Sequence, residues 1–260
     1  MTSEQIMLIR PGPMGLWALL LCVCLSGCYA PVPVDRPVSP YGGRRVFAVA
    51  PLRNESGSLH ADALRTADRL TAEVARVRGI DTVSVNRVLG AMQRMGLSGI
   101  DTPDQAHALR QWLGVDGLLV GSITAYDPYD PPTLGLAVEL YRSDRDAGGT
   151  GANPDPRELT RAARLPGDAP TAVLEPDLGP TSAIAGHYDA SDPEVAALLD
   201  HYIVERGPDG TGEMTRRRYT ASIDLYTEFV SHQLTARLMD AERLQLRSPN
   251  RRFDAASSSP

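Results

Sequence analysis

Short apolar runs alternate with amphipathic segments between Arg45 and Tyr141, and this order indicates the fold class. Short runs closed by glycine or proline are typical of buried strands, whereas apolar residues at three- and four-residue steps are typical of helices. The predicted strands are Arg45–Pro51, Asp81–Val85, Val115–Ala125 and Leu134–Tyr141. The predicted order is β-α-β-α-α-β-β, which indicates an α/β fold with a mixed sheet and helices packed on it.

The predicted helices of this region carry signals at their ends and on their faces. The first extends from about Asp62 to Arg78, and Ser58 or His60 is expected to cap it. A later helix opens with Thr102 as its cap. Because Trp112 lies on the apolar stripe of that later helix, we expect its side chain in the core rather than on a ligand-binding surface.

The pattern changes after the fourth strand. Residues 142–190 are rich in Gly, Pro, Asp and Ala and show no apolar period, which predicts a loop or disordered insertion. A capped helix begins near Ser191, and a last helix runs from about Tyr219 to Arg243, although its first residues are also compatible with a strand. We expect residues 191–247 to pack on the core as a helical part and residues 248–260 to form a disordered tail.

The three cysteines, Cys22, Cys24 and Cys28, all precede the region of alternating strands and helices. That region therefore contains neither a disulfide nor a cysteine-based zinc site, and its sequence indicates no cofactor. The chain has a formal net charge of -6. Because nucleic-acid binding needs a basic surface for the phosphates, this balance argues against a nucleic-acid partner.

The amino terminus has the layout of an export signal. An apolar run from Met14 to Leu25 follows Arg10 and is shorter than the roughly 20 residues that span a bilayer. We expect a signal peptide over residues 1–27 and a proline-rich tether over residues 28–43. An ordinary secreted signal, or a buried apolar helix with incidental cysteines, is the alternative.

The apolar run ends in Leu25-Ser26-Gly27-Cys28, which resembles the bacterial lipobox. The resemblance implies cleavage between Gly27 and Cys28 and attachment of diacyl and amide-linked chains, such as palmitate, to Cys28. In enterobacterial lipoproteins an aspartate after the cysteine favours the inner membrane. Tyr29 stands at that position, so the outer membrane is favoured over the inner membrane.

Four stretches of the middle region match a known family in order and spacing. They are Val46–Gly57, Ala61–Arg78, Val83–Arg87 and Gln105–Ile123. The last stretch is the most specific, because a helix leads through Leu-Gly-Val-Asp into an apolar strand and Gly-Ser. Together they resemble the TolB amino-terminal, CsgG and LpoB-like family of envelope lipoproteins. The resemblance implies an α/β domain over 44–141 with a role in binding and assembly, and it carries over no catalytic residue.

Two polar groups outside these motifs have a simple interpretation. Ser56, Ser58, His60 and Asp62 contain the residue types of a catalytic triad, but triads are assembled from distant positions and this loop lacks a nucleophile elbow. A polar loop before a helix fits them better. The Arg216–Arg218 run is typical of a solvated turn, with phospholipid or an acidic partner as the alternative.

A third polar group has the residue types of a metal site. It contains His187, Asp189, Asp192, Glu194 and His201. Their spacing fits neither a calcium loop nor a zinc-binding helix. Acidic residues near the start of a helix stabilise its amino terminus, which explains Asp192 and Glu194 without a metal. We therefore assign no metal ligand and no catalytic residue.

These features predict a membrane-anchored periplasmic lipoprotein that is not an enzyme. It would act as a binding or scaffold component in envelope assembly or secretion, held to the membrane by the lipid on Cys28 and contacting an envelope protein. Self-association into a homo-oligomer stays open. The alternatives are a CsgG-like export pore, which needs membrane strands of about 10 residues, and a hydrolase with its site in residues 142–260.

Overall fold

The computed structural model describes residues 37–142, 179–206 and 213–247. The predicted signal peptide, Cys28, the start of the tether and the tail 248–260 lie outside these ranges, as does most of the predicted insertion. The elements are β1 (Arg45–Val49), β2 (Arg53–Asn54), α1 (Ala63–Arg76), β3 (Ile80–Val83), α2 (Val85–Arg94), α3 (Pro103–Leu113), β4 (Gly117–Asp127), β5 (Thr133–Arg142), β6 (Ser182–Asp189), α4 (Pro193–Arg206), α5 (Glu213–Thr220) and α6 (Ile223–Arg247).

The six described strands form one mixed sheet. Five of them lie side by side in the order β3-β1-β4-β5-β6, and β2 lies off this path. Strand β1 runs parallel to both β3 and β4, and the short β2 pairs with β4 beyond the end of β1. Strands β4, β5 and β6 follow one another in antiparallel pairs. The predicted α/β class, with a mixed sheet, helices packed on it and helices at the carboxyl end, is confirmed.

Helices pack on both faces of this sheet. Helices α1, α4 and α6 bury one face, where Tyr202 and Phe229 pack against leucines such as Leu136 of β5. Helices α2 and α3 pack on the other face, where Leu109 contacts the cluster around Leu118. None of the helices described by the structure is both long and apolar enough to cross a bilayer.

Helix α1 is capped by the residue directly before it. The Asp62 carboxylate accepts a hydrogen bond from the Arg65 amide at 3.0 Å, which satisfies one of the free amides of the first turn. The prediction of Ser58 or His60 as cap was wrong, because the helix begins at Ala63 and both residues lie too far upstream.

Helix α3 begins as predicted but presents a different face to the core. The Thr102 hydroxyl accepts a hydrogen bond from the Gln105 amide at 3.3 Å. Trp112 is 47% exposed, and the Arg94 guanidinium lies 5.7 Å from its ring centre. The expectation that Trp112 is a core residue was therefore wrong, because its side chain lies on the exposed side of α3, beside Arg94 of α2. The core residues of α3 are Ala106, Leu109 and Leu113.

Strand β6 lies inside the segment predicted to be a loop or disordered insertion. Its inward residues, Ser182, Ile184, Gly186 and Tyr188, include only two large apolar side chains. Small residues and glycine weaken the alternating pattern by which a strand is recognised. Pairing with all but the last two residues of β5, rather than the strand's own composition, stabilises β6.

Glu73 is a nearly buried carboxylate that joins three helices. It lies on α1 with 3% of its surface exposed, and it forms ion pairs with Arg206 of α4 and with Arg76 at 3.3 Å. Nδ1 of His232, on α6, lies 3.5 Å from its Oε2. Burial raises the pKa of Glu73, but the hydrogen bond with His232 and the charges of Arg206 and Arg76 outweigh burial, so the pKa lies below its ordinary value.

Acidification is therefore expected to remove the stability that Glu73 supplies. Because the folded state lowers this pKa below 4.5, the contribution is fully present above pH 4.5 and is lost as the pH falls through the folded-state pKa. Glu73→Gln should lower the free energy of unfolding at pH 7 and flatten its fall on the acid side. Urea unfolding at a series of pH values measures this, and parallel acid limbs for the two proteins would contradict it.

Candidate binding surface and tether contact

The last part of the predicted tether packs on the body of the protein. The Arg78 amide donates a hydrogen bond to the Pro37 carbonyl at 2.8 Å, and the Ser39 amide donates to the Arg78 carbonyl at 3.0 Å. The Tyr41 side chain is only 8% exposed, and its ring centre lies 5.6 Å from that of Phe47. The packed body therefore includes Pro37, which lies seven residues before the Arg44 boundary predicted from the sequence.

A buried polar cluster fixes this segment in place. The Tyr41 hydroxyl donates to Oε2 of Glu242 at 2.8 Å, and the Ser182 hydroxyl donates to Oε1 at 2.5 Å. Nε of Arg142 lies 2.6 Å from Oε2, and Arg142 also lies over the Tyr41 ring at 5.2 Å. Glu242 and Arg142 are 0% and 6% exposed. We call Tyr41, Arg142, Ser182 and Glu242 the tether cluster.

The tether cluster connects four parts of the chain that are distant in sequence. Tyr41 belongs to the packed end of the tether, Arg142 ends β5, Ser182 begins β6 and Glu242 lies in the last turns of α6. A buried carboxylate needs a compensating charge and hydrogen bonds, and here both are supplied. The cluster therefore joins the packed end of the tether to the sheet and to α6.

Among the residues that the structure describes, no helix covers part of one sheet face. Register pairing places residues of β4, β5 and β6 in rows that point to the same side as α2 and α3. The rows are Val120–Glu139–Ala183, Ser122–Ala137–Ala185 and Gly135–His187. Ala183, Ala185 and His187 are exposed, and Ser122 and Ala137 are half-buried. We call these three rows the open sheet face.

A groove of about 360 Å³ lies where the open sheet face meets the end of α2. Its apolar walls include Leu52, Met92 and Ile100, and its floor is formed by the start of the open sheet face. The volume falls within the range of small-ligand pockets and would also accept one or two side chains of a protein partner. Small residues on the neighbouring strands allow another chain to approach the sheet closely.

Two charged side chains of the groove, Glu139 and Arg53, form a hydrogen bond or an ion pair with a neighbouring side chain. Oε2 of Glu139, at the groove floor, accepts a hydrogen bond from the Tyr141 hydroxyl at 2.7 Å. Burial and this contact with Glu139 raise the pKa of Tyr141, so the hydroxyl stays a donor. At the rim, Arg53 forms an ion pair with Asp101. This arrangement suits recognition of polar or cationic groups at an apolar surface and does not form a nucleophile with its base.

The polar loop before α1 is organised by its own local contacts. Oδ1 of Asn54 accepts hydrogen bonds from the Ser56 amide at 3.2 Å and from the Ser56 hydroxyl at 2.8 Å. The Ser56 hydroxyl in turn accepts from the Ser58 amide at 3.2 Å. Asp62 is occupied as the helix cap, and His60 is exposed. These contacts fit the interpretation of a structured polar loop.

Three of the residues that have the types of a metal site, Asp189, Asp192 and His201, make other local contacts. Oδ1 of Asp189 accepts from the Ser191 amide at 2.8 Å, and these contacts with Ser191 lower the pKa of Asp189. Oδ1 of Asp192 accepts from the Glu194 amide at 2.8 Å. His201 lies 3.5 Å from Glu205, one turn along α4. Within the part of the chain that the structure describes, no group of three or more His, Cys, Asp or Glu side chains is placed to hold a metal.

The arginine run lies in a helix rather than in the predicted turn. Residues 216–218 belong to α5, and Nε of Arg216 donates to Oδ1 of Asp200 on α4 at 2.7 Å. The prediction of a turn was wrong because the run continues into Tyr219, which packs beside Tyr202 with ring centres 5.7 Å apart. Arg217 and Arg218 are exposed.

Neither a protein-family model nor a curated protein matches the sequence. Three solved structures are similar to the chain. The LpoB C-terminal domain from Salmonella enterica is 24% identical, with 38% of this chain and 73% of that chain covered and a TM-score of 0.31. Lipoprotein GNA1162 from Neisseria meningitidis is 14% identical, with 65% and 99% covered and a TM-score of 0.35. The hypothetical protein CT253 from Chlamydia trachomatis is 8% identical, with 76% and 98% covered and a TM-score of 0.36.

Structures similar to this chain thus include LpoB and a lipoprotein, whereas a relationship to TolB or CsgG stays a prediction. With identities of 24% or less and TM-scores of 0.36 or less, the similarity assigns neither a family nor a role to the chain.

Proposed function

We propose that this chain is a bacterial lipoprotein, held on the periplasmic side of a membrane by acyl chains on Cys28, whose body binds a protein partner without catalysis. The outer membrane is favoured because Tyr29 replaces the aspartate that retains enterobacterial lipoproteins at the inner membrane. The body would serve envelope assembly or secretion as a binding or scaffold component.

The connection between the lipobox and the packed body is short, and this supports a body that is held close to the membrane. Pro37, which is already hydrogen-bonded to the body, follows Cys28 by nine residues. An extended chain of that length spans at most about 32 Å. A lipid on Cys28 would therefore keep the body beside the membrane, where only partners at or near that membrane can reach it.

The open sheet face supports binding as the task of the body. Its small side chains let another chain approach the sheet closely, and an apolar groove with charged groups at its rim lies beside it. An apolar centre with a polar rim is the usual layout of a protein contact surface. We expect the partner to be an envelope protein or a second copy of this chain. The local hydrogen bonds of Ser56, Ser58 and Asp62 hold these residues in a structured loop, which also agrees with a binding role.

Site-specific photocrosslinking in cells tests the binding role. A photoreactive amino acid at Ala185, on the open sheet face, is expected to give a discrete crosslinked product, because a partner on this face lies within reach. The matched control is Ala75, an exposed alanine of α1 on the opposite side of the sheet. Ala137→Arg, which places a charge on the open sheet face, should reduce the product at Ala185.

The mass of the crosslinked product identifies the partner. A product of twice the chain's mass indicates self-association, and any other discrete mass indicates an envelope protein. Equal products at Ala185 and Ala75, or no product at Ala185, would contradict binding through this face.

A further inference from the structure

The two ends of the body differ in charge and in exposed apolar residues. The tether end is where Pro37–Gly43 packs, where β1 begins and where α6 ends. Arg243 of α6 marks this end, because its Nη2 donates to the Val38 carbonyl at 3.2 Å. The distal end lies opposite, where β4 and β5 connect, where β6 ends and where Tyr126 lies beside Asp62 at the start of α1.

Arginine dominates the surface of the tether end. Arg44, Arg78 and Arg247 are exposed there, and the Arg243 side chain is 37% exposed. The acidic residues of this end are engaged, since Asp81 pairs with Arg44 at 2.7 Å and Asp240 pairs with Arg243. Within the described ranges, Arg78 and Arg247 have no acidic partner, so the described part of the tether end presents surplus positive charge.

Two apolar side chains are exposed among these arginines. Val38 is 49% exposed and Leu244 is 66% exposed, which is more than a side chain in a packed core would show. Val38 lies next to Arg78 through a backbone bridge, and Leu244 directly follows Arg243. Exposed apolar residues flanked by arginine are the composition of segments that rest in the headgroup region of a bilayer.

The distal end carries the opposite charge. Its exposed acidic residues include Glu55, Asp127, Asp130 and Asp192. An anionic bilayer attracts basic groups near its surface by about 1 kcal/mol each and repels acidic ones, and both effects fade beyond a Debye length of about 10 Å. The separation of charge along the body therefore favours one orientation beside a membrane.

We propose that the tether end of the body rests on an anionic bilayer, with Val38 and Leu244 in the headgroup region and the nearby arginines on lipid phosphates. This inference rests on the anchoring proposed above, because the lipid on Cys28 supplies a high local concentration that makes a weak contact effective. In this orientation the distal end points away from the membrane, and the open sheet face stands to the side, accessible to a partner.

The test uses the lipidated full chain, extracted from membranes and reconstituted with vesicles. Leu244→Cys carries an environment-sensitive dye at the tether end, and Leu59→Cys carries it at the distal end, where Leu59 is 99% exposed. If Cys28 is acylated and Cys22 and Cys24 are removed with the signal peptide, the introduced thiol is the one that the dye labels. Vesicles contain nitroxide-labelled lipid and either phosphatidylcholine alone or phosphatidylcholine with phosphatidylglycerol.

We expect the dye at position 244 to shift to the blue and to be quenched several-fold more than the dye at position 59, and to do so only with phosphatidylglycerol. Raising the salt to 1 M, where the Debye length is about 3 Å, should reduce the difference. The double variant Arg78→Glu/Arg247→Glu should abolish it. The matched control, Arg87→Glu/Arg218→Glu, changes two exposed arginines of α2 and α5 that are not among the tether-end arginines, and it should leave the difference unchanged.

Three outcomes would overturn the proposal, and they can be told apart. If the protein does not float with vesicles, the anchoring fails and the membrane contact fails with it. If it floats but the dyes at 244 and 59 are quenched equally, the membrane contact alone is wrong. If quenching at 244 is the same with and without phosphatidylglycerol, the contact does not depend on arginine and anionic lipid.

Discussion

Glu242→Ala is expected to lower the free energy of unfolding by about 3–5 kcal/mol, because it leaves the Arg142 charge buried without its partner. The same change removes the acceptor of the Tyr41 and Ser182 hydroxyls. Urea unfolding followed by circular dichroism measures the loss. The effect should be accompanied by faster proteolysis near Tyr41, since the packed end of the tether loses its contact with α6.

Two further variants separate the effect of the buried charge on stability from the effect of the lost packing. Replacing both partners, Glu242→Leu with Arg142→Leu, removes the unpaired charge and should recover most of the stability. Asp81→Ala breaks the exposed pair with Arg44 and should leave the unfolding midpoint nearly unchanged, because both groups are solvated. A change in Glu242→Ala no larger than that of Asp81→Ala would show that the tether cluster does not hold the segment in place.

Cys28→Ala is expected to move the protein almost entirely from the membrane fraction to the soluble or precursor fraction. Several acyl chains hold a protein nearly permanently, at about 0.8 kcal/mol for each buried CH₂ group, and this variant removes all of them. Fractionation followed by immunoblotting measures the distribution. Cys24→Ala is the matched control, because Cys24 lies in the apolar run and should leave the distribution unchanged.

Retention in membranes of Cys28→Ala protein that has lost residues 1–27, after a carbonate or high-salt wash, would show that something other than acylation anchors the chain. Release by high salt alone would instead point to the arginine surface of the tether end. The two treatments therefore separate the covalent anchor from the electrostatic contact.

The order of strands and helices in the first half could be predicted because each element carries its own signal. The helix α1 alternates apolar and polar faces, and the cap at Thr102 is a local feature of sequence. The packing side of Trp112 could not be predicted in the same way. Trp112 lies close to the apolar residues of α3 in sequence, but the packing of α3 on α2 and on the sheet leaves it on the exposed side of the helix.

Strand β6 and the tether cluster could not be predicted because they depend on residues far apart in the chain. Tyr41 and Glu242 are separated by 201 positions, and neither has a neighbour in sequence that indicates the contact. The open sheet face left a weaker signal, since Gly135, Ala137 and Glu139 alternate with large apolar residues along β5. That alternation indicates a strand with one face less covered than the other.

The intact mass of the protein extracted from membranes, measured beside that of Cys28→Ala, shows whether Cys28 carries the acyl chains. The anchoring proposed here predicts a chain that begins at Cys28 and carries the mass of its acyl chains, and it predicts that Cys28→Ala yields no such species. An unmodified chain, or one that begins at a residue other than Cys28, would contradict the account.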